Sequence, residues 1–248
     1  AGLGGYLLWR DVRRELDLAE IRSQFAASVS HELKTPLTSI RMFAETVRLG
    51  RVKDEAARDE YVDPIINESE RLSRLLNNVL DVSKIEQGKK LYRPRPQALA
   101  PILRAAVRTM DYPLRQQGFS LDLAIGEGLP DVSVDADALE QALLNLLGNA
   151  IKYSGAAREI GLELMREGPW AVIRVTDHGV GIPPGERQRI FERFYRVPSP
   201  ENRQVPGTGL GLALVAHFAR EHGGRLAGES QPGRGSAFAL YLPLEAEP

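Results

Sequence analysis

The sequence predicts an α + α/β protein: a helical hairpin that closes its apolar faces as a four-helix bundle in a dimer, followed by an α/β sandwich. Three observations carry this. Residues 11–87 hold apolar rows at helical spacing only. A basic, proline-bearing stretch at 89–98 interrupts the pattern. From Leu99 onward, helix-period segments interleave with short alternating or apolar runs of strand type.

Composition narrows the function classes. The chain has 248 residues, room for one large or two modest domains, with 43% hydrophobic and 26% charged residues as in ordinary globular proteins. A formal net charge of −1 gives no footing for bulk nucleic-acid binding. There is no cysteine, which excludes disulfides, thiolate metal sites and a cysteine nucleophile. The four histidines, at 31, 178, 217 and 222, are too dispersed for a structural zinc site, and His217 and His222 are expected at the surface. Residues 1–9 are apolar but far short of the roughly 20 residues of a membrane span. Arg10, Arg13 and Arg14 follow, as where a span exits to the cytoplasm. A truncated membrane exit and a plain helix start both fit; the expectation is a full-length protein anchored in the inner or plasma membrane upstream of residue 10, with this portion cytoplasmic.

The elements follow in order. Residues 11–50 read as one long helix, with Val12, Leu16, Ile21 and Phe25 spaced as in a coiled-coil lead-in. Gly50 and the charged run 51–58 make a turn. A second helix over 55–87 repeats Ile65, Leu72 and Val79 by sevens, with Leu75 and Val82 beside them and Leu76, Leu80 and Ile85 widening the stripe. A lone hairpin cannot cover two such stripes, so a homodimer is expected. Residues 89–98 read as a linker with a short strand at Leu91–Arg93. Helices are expected over 99–117, 137–153, 184–194 and 209–222. Strands are expected at Ser120–Ile125, Val132–Val134, Glu159–Arg166, Ala171–Thr176, Gly224–Ser230 and Ser236–Leu242.

Ile21, Phe25, Val29, Leu33 and Leu37 step by four along one helix face. His31 sits roughly 200° round the wheel from Val29, pointing away from that face. Glu32 adjoins it, Thr35 lies one turn on, and Pro36 kinks the helix. On spacing alone, a surface histidine before a kink and a phosphorylatable histidine are equally good readings. The ordered string His31-Glu32-Leu33-Lys34-Thr35-Pro36-Leu37 closely resembles the H-box of sensor histidine kinases, in which the histidine accepts phosphate.

Four more stretches bear on that resemblance. Asn145 and Asn149 lie one turn apart on an otherwise apolar helix, where unsatisfied amides are costly; capping or a core network would also account for them. The run from Asn145 through Asn149, Lys152 and Tyr153 resembles the N-box of the same kinases. Asp177, Gly179 and Gly181 end a strand, a common turn alone, and resemble the G1 box. Ile190 to Arg196 resembles the F-box, with Phe191 and Phe194 as loop anchors and Arg196 as the ligand candidate. Gly207-Thr208-Gly209-Leu210-Gly211 opens a helix, where glycines let backbone amides approach phosphate, and resembles the G2 box. Residues 197–208 read as a mobile ATP lid.

In order and spacing, these boxes resemble the Bergerat ATP-binding fold of the superfamily of gyrase, Hsp90, histidine kinases and MutL. The resemblance implies a lead-in helix at 1–17, a dimerisation and phosphotransfer domain at 18–88, a linker at 89–98 and a catalytic ATP-binding domain at 99–248. It implies ATP and Mg²⁺, with Asn149 as the metal ligand, Lys152 on phosphate, Tyr153 on the adenine ring and Asp177 on the adenine amine. Asn145 stands where ATP-hydrolysing relatives carry a glutamate, so ATP is held for transfer rather than hydrolysis. Autophosphorylation of His31, with Glu32 accepting its proton, then transfer to an aspartate of a cognate response regulator, follows from the resemblance. Thr35 matches the position that serves phosphatase action on the phosphorylated regulator. Two rivals stand beside this: a nucleotide-binding dimeric scaffold that transfers nothing, and a regulator phosphatase with secondary kinase activity.

Overall fold

The computed structural model describes the backbone of residues 2–50, 55–198, 205 and 207–244. The expected turn at 51–54 and most of the expected lid lie outside the described residues. The chain divides into two compact units. The first holds residues 1–76 with 194–196 and 206–209; the second holds 77–193, 197–205 and 210–248.

The first unit is a helical hairpin. α1 runs from Gly2 to Arg48 without interruption, starting earlier than the spacing suggested. α2 spans Glu55–Glu86, and its turns up to Leu76 belong to this unit. Pro36 and Pro64 both lie inside helices, and both are buried. The helices meet through Phe43 and Tyr61, whose rings lie 6.1 Å apart edge to face. Ile65, Leu72 and Leu75 are half-buried, while Leu37, Met42, Leu49 and Ile66 stay exposed. No described helix is long and apolar enough to cross a membrane.

The second unit is a two-layer α/β sandwich. Its sheet has the order β2–β4–β5–β7–β6: β2 (Ser120–Ile125) runs parallel to β4 (Glu159–Glu167), and β5 (Trp170–Asp177), β7 (Gly235–Pro243) and β6 (Arg225–Gln231) pair antiparallel. Ile160, Leu162 and Leu164 alternate inward on β4, giving the sheet one buried face. Against that face pack α3 (Leu99–Gln116), α4 (Ala136–Tyr153) and α5 (Gly211–Glu221). Leu103, Leu143, Leu147, Val215 and Leu240 are fully enclosed in this core.

Three expectations about elements are corrected. The short strand near the linker is not Leu91–Arg93 but β1, Arg95–Gln97, which pairs antiparallel with β3 (Val132–Val134). Leu91 is 85% exposed, whereas Tyr92 turns in against the rings of His217, Phe218 and His222. The helix expected over 184–194 is two single 3₁₀ turns, Pro184–Glu186 and Arg189–Phe191; its proline falls at the first position, where a helix tolerates it, but Gly185 follows at once and lowers the helical propensity. His222 is buried rather than superficial. Its Nδ1 donates to the Phe218 carbonyl at 2.8 Å, and its Nε2 accepts the Asp135 amide at 3.1 Å.

Candidate functional site: an exposed histidine and a nucleotide pocket

In the first unit, the wheel argument for His31 holds: the imidazole is exposed. Glu32, one position on, turns inward and is only 2% exposed. Among the described residues neither of its carboxylate oxygens has a hydrogen-bond partner; the Arg71 guanidinium of α2 lies at 3.7 Å, beyond hydrogen-bond length. Arg71 is held from the other side by Glu68 at 3.2 Å. The Thr35 hydroxyl, exposed one turn beyond His31, donates back to the His31 carbonyl at 3.3 Å. Glu32 and Thr35 therefore flank His31 on different helix faces.

The same unit includes the bases of the expected lid. Phe194 has a φ of 68°, the only positive value among the described non-glycine residues, and its N–H donates to the Gly209 carbonyl at 2.9 Å. Gly209 has a φ of 71°, and a Cβ there would lie 2.6 Å from the Phe194 carbonyl carbon, so only glycine fits. Arg196 donates to the Gly207 carbonyl at 3.1 Å. The Ser28 hydroxyl, one turn before His31, donates to the same carbonyl at 2.6 Å. Nothing in the spacing had marked Ser28.

In the second unit, the N-box residues ride on α4. Its start is capped by Asp135, whose Oδ1 accepts the Ala138 N–H at 3.1 Å. Leu139, Leu143, Leu146, Leu147, Ala150 and Ile151 face the core, leaving Asn145, Asn149, Lys152 and Tyr153 half-buried. Asn145 accepts through Oδ1 from Asn78 Nδ2 at 3.0 Å, and its own Nδ2 is buried without a partner among the described residues. Asn78 in turn accepts from Gln141 Nε2 at 3.0 Å. Asn78 is a second residue the spacing missed, because a polar residue on an amphipathic helix reads as solvated.

Asp177 closes β5 and is 6% exposed. Its Oδ1 accepts the Gly179 N–H at 2.9 Å. Burial pushes its carboxyl above the ordinary carboxylate range, opposed by hydrogen bonds from the Gly179 and Ser236 amides. The loop that follows is tied down on both sides: the Val180 N–H donates to the Tyr153 carbonyl at 3.0 Å and the Ile182 N–H to Ser230 Oγ at 2.8 Å. A Cβ on Gly179 would come within 1.9 Å of the Tyr153 oxygen, and one on Gly181 within 2.0 Å of the Gln231 oxygen. These two glycines let the loop pass close to neighbouring backbone. Leu210 is buried, and Gly211 starts α5 beside Asn145, whose amide would lie 3.6 Å from a Cβ there.

A divalent cation fits this donor set. Among the described residues, no group of three or more His, Cys, Asp or Glu could hold a metal. Asn149 is half-buried, and its amide oxygen is a hard donor of the kind that could hold Mg²⁺ alongside nucleotide phosphates and water. One structured carboxylate, two amides one turn apart and a glycine-bounded helix start, on a one-sided mixed sheet, define an ATP-binding domain of the Bergerat class, preceded by a hairpin that presents a histidine.

Comparison with known proteins bears this out. Residues 21–88 match the His Kinase A (phospho-acceptor) domain family, and residues 134–246 match the histidine kinase-, DNA gyrase B- and HSP90-like ATPase family. The circadian input-output histidine kinase CikA of Synechococcus elongatus is 35% identical over 225 residues, covering 90% of this chain and 30% of that protein. The structure of the mycobacterial sensor histidine kinase MprB is 31% identical, covers 62% of this chain and 97% of that one, and superposes with a TM-score of 0.50. Full-length ShkA in complex with AMPPNP is 27% identical, with a TM-score of 0.61, covering 89% of this chain and 45% of that one. The chain belongs to the sensor histidine kinases. It spans about a third of the length of the curated relatives it matches.

Proposed function

We propose that this chain is the kinase portion of a sensor histidine kinase: it phosphorylates itself on His31 from ATP and passes the phosphoryl group to an aspartate of a cognate response regulator. The observation that carries this is the pairing of an exposed imidazole on α1 with a buried, hydrogen-bonded carboxylate at the mouth of a Bergerat-type site. Asp177 accepts a hydrogen bond from the adenine exocyclic amine, and Tyr153 packs on the ring. Lys152 and Arg196 offset charge on the phosphates, and the backbone of Gly207, Thr208, Gly209, Leu210 and Gly211 lies along them. Asn149 would hold a Mg²⁺ ion, which would supply further charge compensation there.

In the transfer step, Glu32 takes the proton from one imidazole nitrogen of His31, and the other nitrogen attacks the γ-phosphorus in line. A P–N bond forms, the bond to the β-phosphate oxygen breaks, and ADP leaves. Glu32 is buried, turned inward toward Arg71, so in this reading it reaches the imidazole by a change of rotamer. Asn145 has no basic oxygen with which to activate water, which favours transfer over hydrolysis. Thr35, exposed beside His31, serves the reverse task of presenting water to the phosphorylated regulator. The protein acts as a homodimer.

Labelling with [γ-³²P]ATP tests the assignment. The chain is expected to acquire one acid-labile, base-stable label, and His31→Gln is expected to remove it entirely while nucleotide still binds. A chain that binds ATP and takes up no label is instead a nucleotide-binding scaffold.

A further inference from the structure

A cleft of about 340 Å³ opens in the second unit between the last turns of α2, one face of α5 and the start of β6. Val82 and Ile85 of α2, Leu214 of α5, Phe191 and Leu226 give it an apolar wall, and all five are buried or half-buried. Arg193, Arg220 and Arg225 line it too, and these three are exposed, so the cations stand on its solvent side. Among the described residues, Arg193 with Glu86 at 3.4 Å is the single ion pair that the three make. Arg225 instead lies over the Tyr241 ring at 4.0 Å, a contact that keeps its charge. Three guanidiniums thus face one paired carboxylate. Burial lowers the His217 imidazole, also in the wall, below its usual value; Glu221 opposes this, and Arg220, Arg193 and Lys90 add to it.

The geometry points to a binding site for a small amphiphilic anion, an apolar chain ending in a carboxylate, with the chain against Val82, Ile85 and Leu214 and the head toward the arginines. Charge and size both select this occupant. The surplus of guanidiniums matches an anionic head, which their planar forks can hold. The volume lies at the lower end of small-ligand clefts. A partner helix, about 10–12 Å across with its side chains, does not fit it. Each methylene that leaves water for such a wall tightens binding about fourfold. Among the described residues, no part of the N-, G1- or G2-box stretches lines the cleft, so it is separate from the nucleotide site and does not depend on that assignment.

Titration calorimetry of the full chain with octanoate and with octan-1-ol tests this, because the two share a chain and differ in charge. Octanoate is expected to bind once per chain, at least about tenfold tighter than the alcohol. Arg220→Gln with Arg225→Gln removes two exposed cations and leaves the apolar wall in place. It should weaken octanoate about tenfold, between the scales of a screened surface pair and a hydrogen bond to a charged group, and change the alcohol less than about twofold. Ala216→Trp, at a half-buried position of the α5 wall, fills the cleft and should abolish binding of both. Should that variant fail to fold, the arginine pair still decides. Saturation with a non-hydrolysable ATP analogue and Mg²⁺ should leave one octanoate per chain. No octanoate binding, equal affinity for acid and alcohol, an arginine pair that binds octanoate as before, a folded A216W that still binds it, or displacement by the nucleotide would each overturn the proposal.

Discussion

Asp177 shows how one side chain ties stability to binding. Its carboxylate is buried at the end of β5, and burial holds its pKa above the ordinary carboxylate value. A carboxyl whose folded pKa is raised favours folding most when protonated. That contribution is present below the unfolded pKa and is lost as pH rises through the folded one. Asp177→Asn removes the buried charge, so its melting temperature should match the wild type or exceed it by a margin that grows from about pH 4 upward. Nucleotide affinity should move the other way. Losing a hydrogen bond to a charged acceptor costs about 1.5–3 kcal/mol, or roughly 10- to 150-fold in Kd. Paired melting curves and calorimetric titrations at pH 5 and 8 check both halves; a variant that binds ATP normally shows that the adenine amine goes elsewhere. Sequence spacing placed Asp177 at the end of a strand, where it stands, while its role came only with the resemblance. It could not find Asn78, Ser28 or the burial of His222. Each of those acts through a partner 63 or more positions away in the chain, and local periodicity carries no such signal.

At the scale of elements, α4 is the part on which the site depends, and Asp135 fastens its first turn three ways. Oδ1 caps the Ala138 N–H, Oδ2 accepts the Arg93 N–H at 2.9 Å, and the Asp135 N–H itself donates to His222. The stretch expected as a linker is thereby fixed to the sandwich. Lys90 pairs with Asp81 at 2.8 Å, and Tyr92 docks among His217, Phe218 and His222, where burial pushes its phenol pKa well up. Asp135→Ala should cost about 1–2 kcal/mol for the cap and about 1 kcal/mol for the tie to Arg93. Urea unfolding followed by far-UV dichroism should show the midpoint fall with the slope unchanged; a shift within error would mean that α4 is held by packing alone. The elements themselves were largely legible, since α3, α4 and the strands bury faces with the period that exposes them in sequence. The linker strand was not. Two prolines allow only a short stretch to pair, and which residues pair is set by the register with β3. The 184–194 segment has helical composition from Glu186 on, yet it closes only two separate 3₁₀ turns.

For the whole molecule, the decisive asymmetry lies between the two units. The sandwich encloses its own core, whereas the hairpin leaves Leu37, Met42, Leu49 and Ile66 in water. Covering such a side chain gains about 1.5–3 kcal/mol, so a second hairpin against the first recovers several such terms per protomer. Symmetric closure by a copy of the same chain then satisfies the sequence stripes and the exposed residues together. Met42→Glu combined with Ile66→Glu places four carboxylates in that contact for each dimer, where their desolvation is costly. Sedimentation equilibrium at micromolar concentration should find the unaltered chain dimeric and the double variant monomeric. The ATP analogue should bind both equally, because no enclosed side chain of the sandwich is touched. A double variant that stays dimeric would move the contact to another surface. One that loses nucleotide binding along with dimerisation would mean that the sandwich relies on the paired hairpins for its fold, contrary to its closed core.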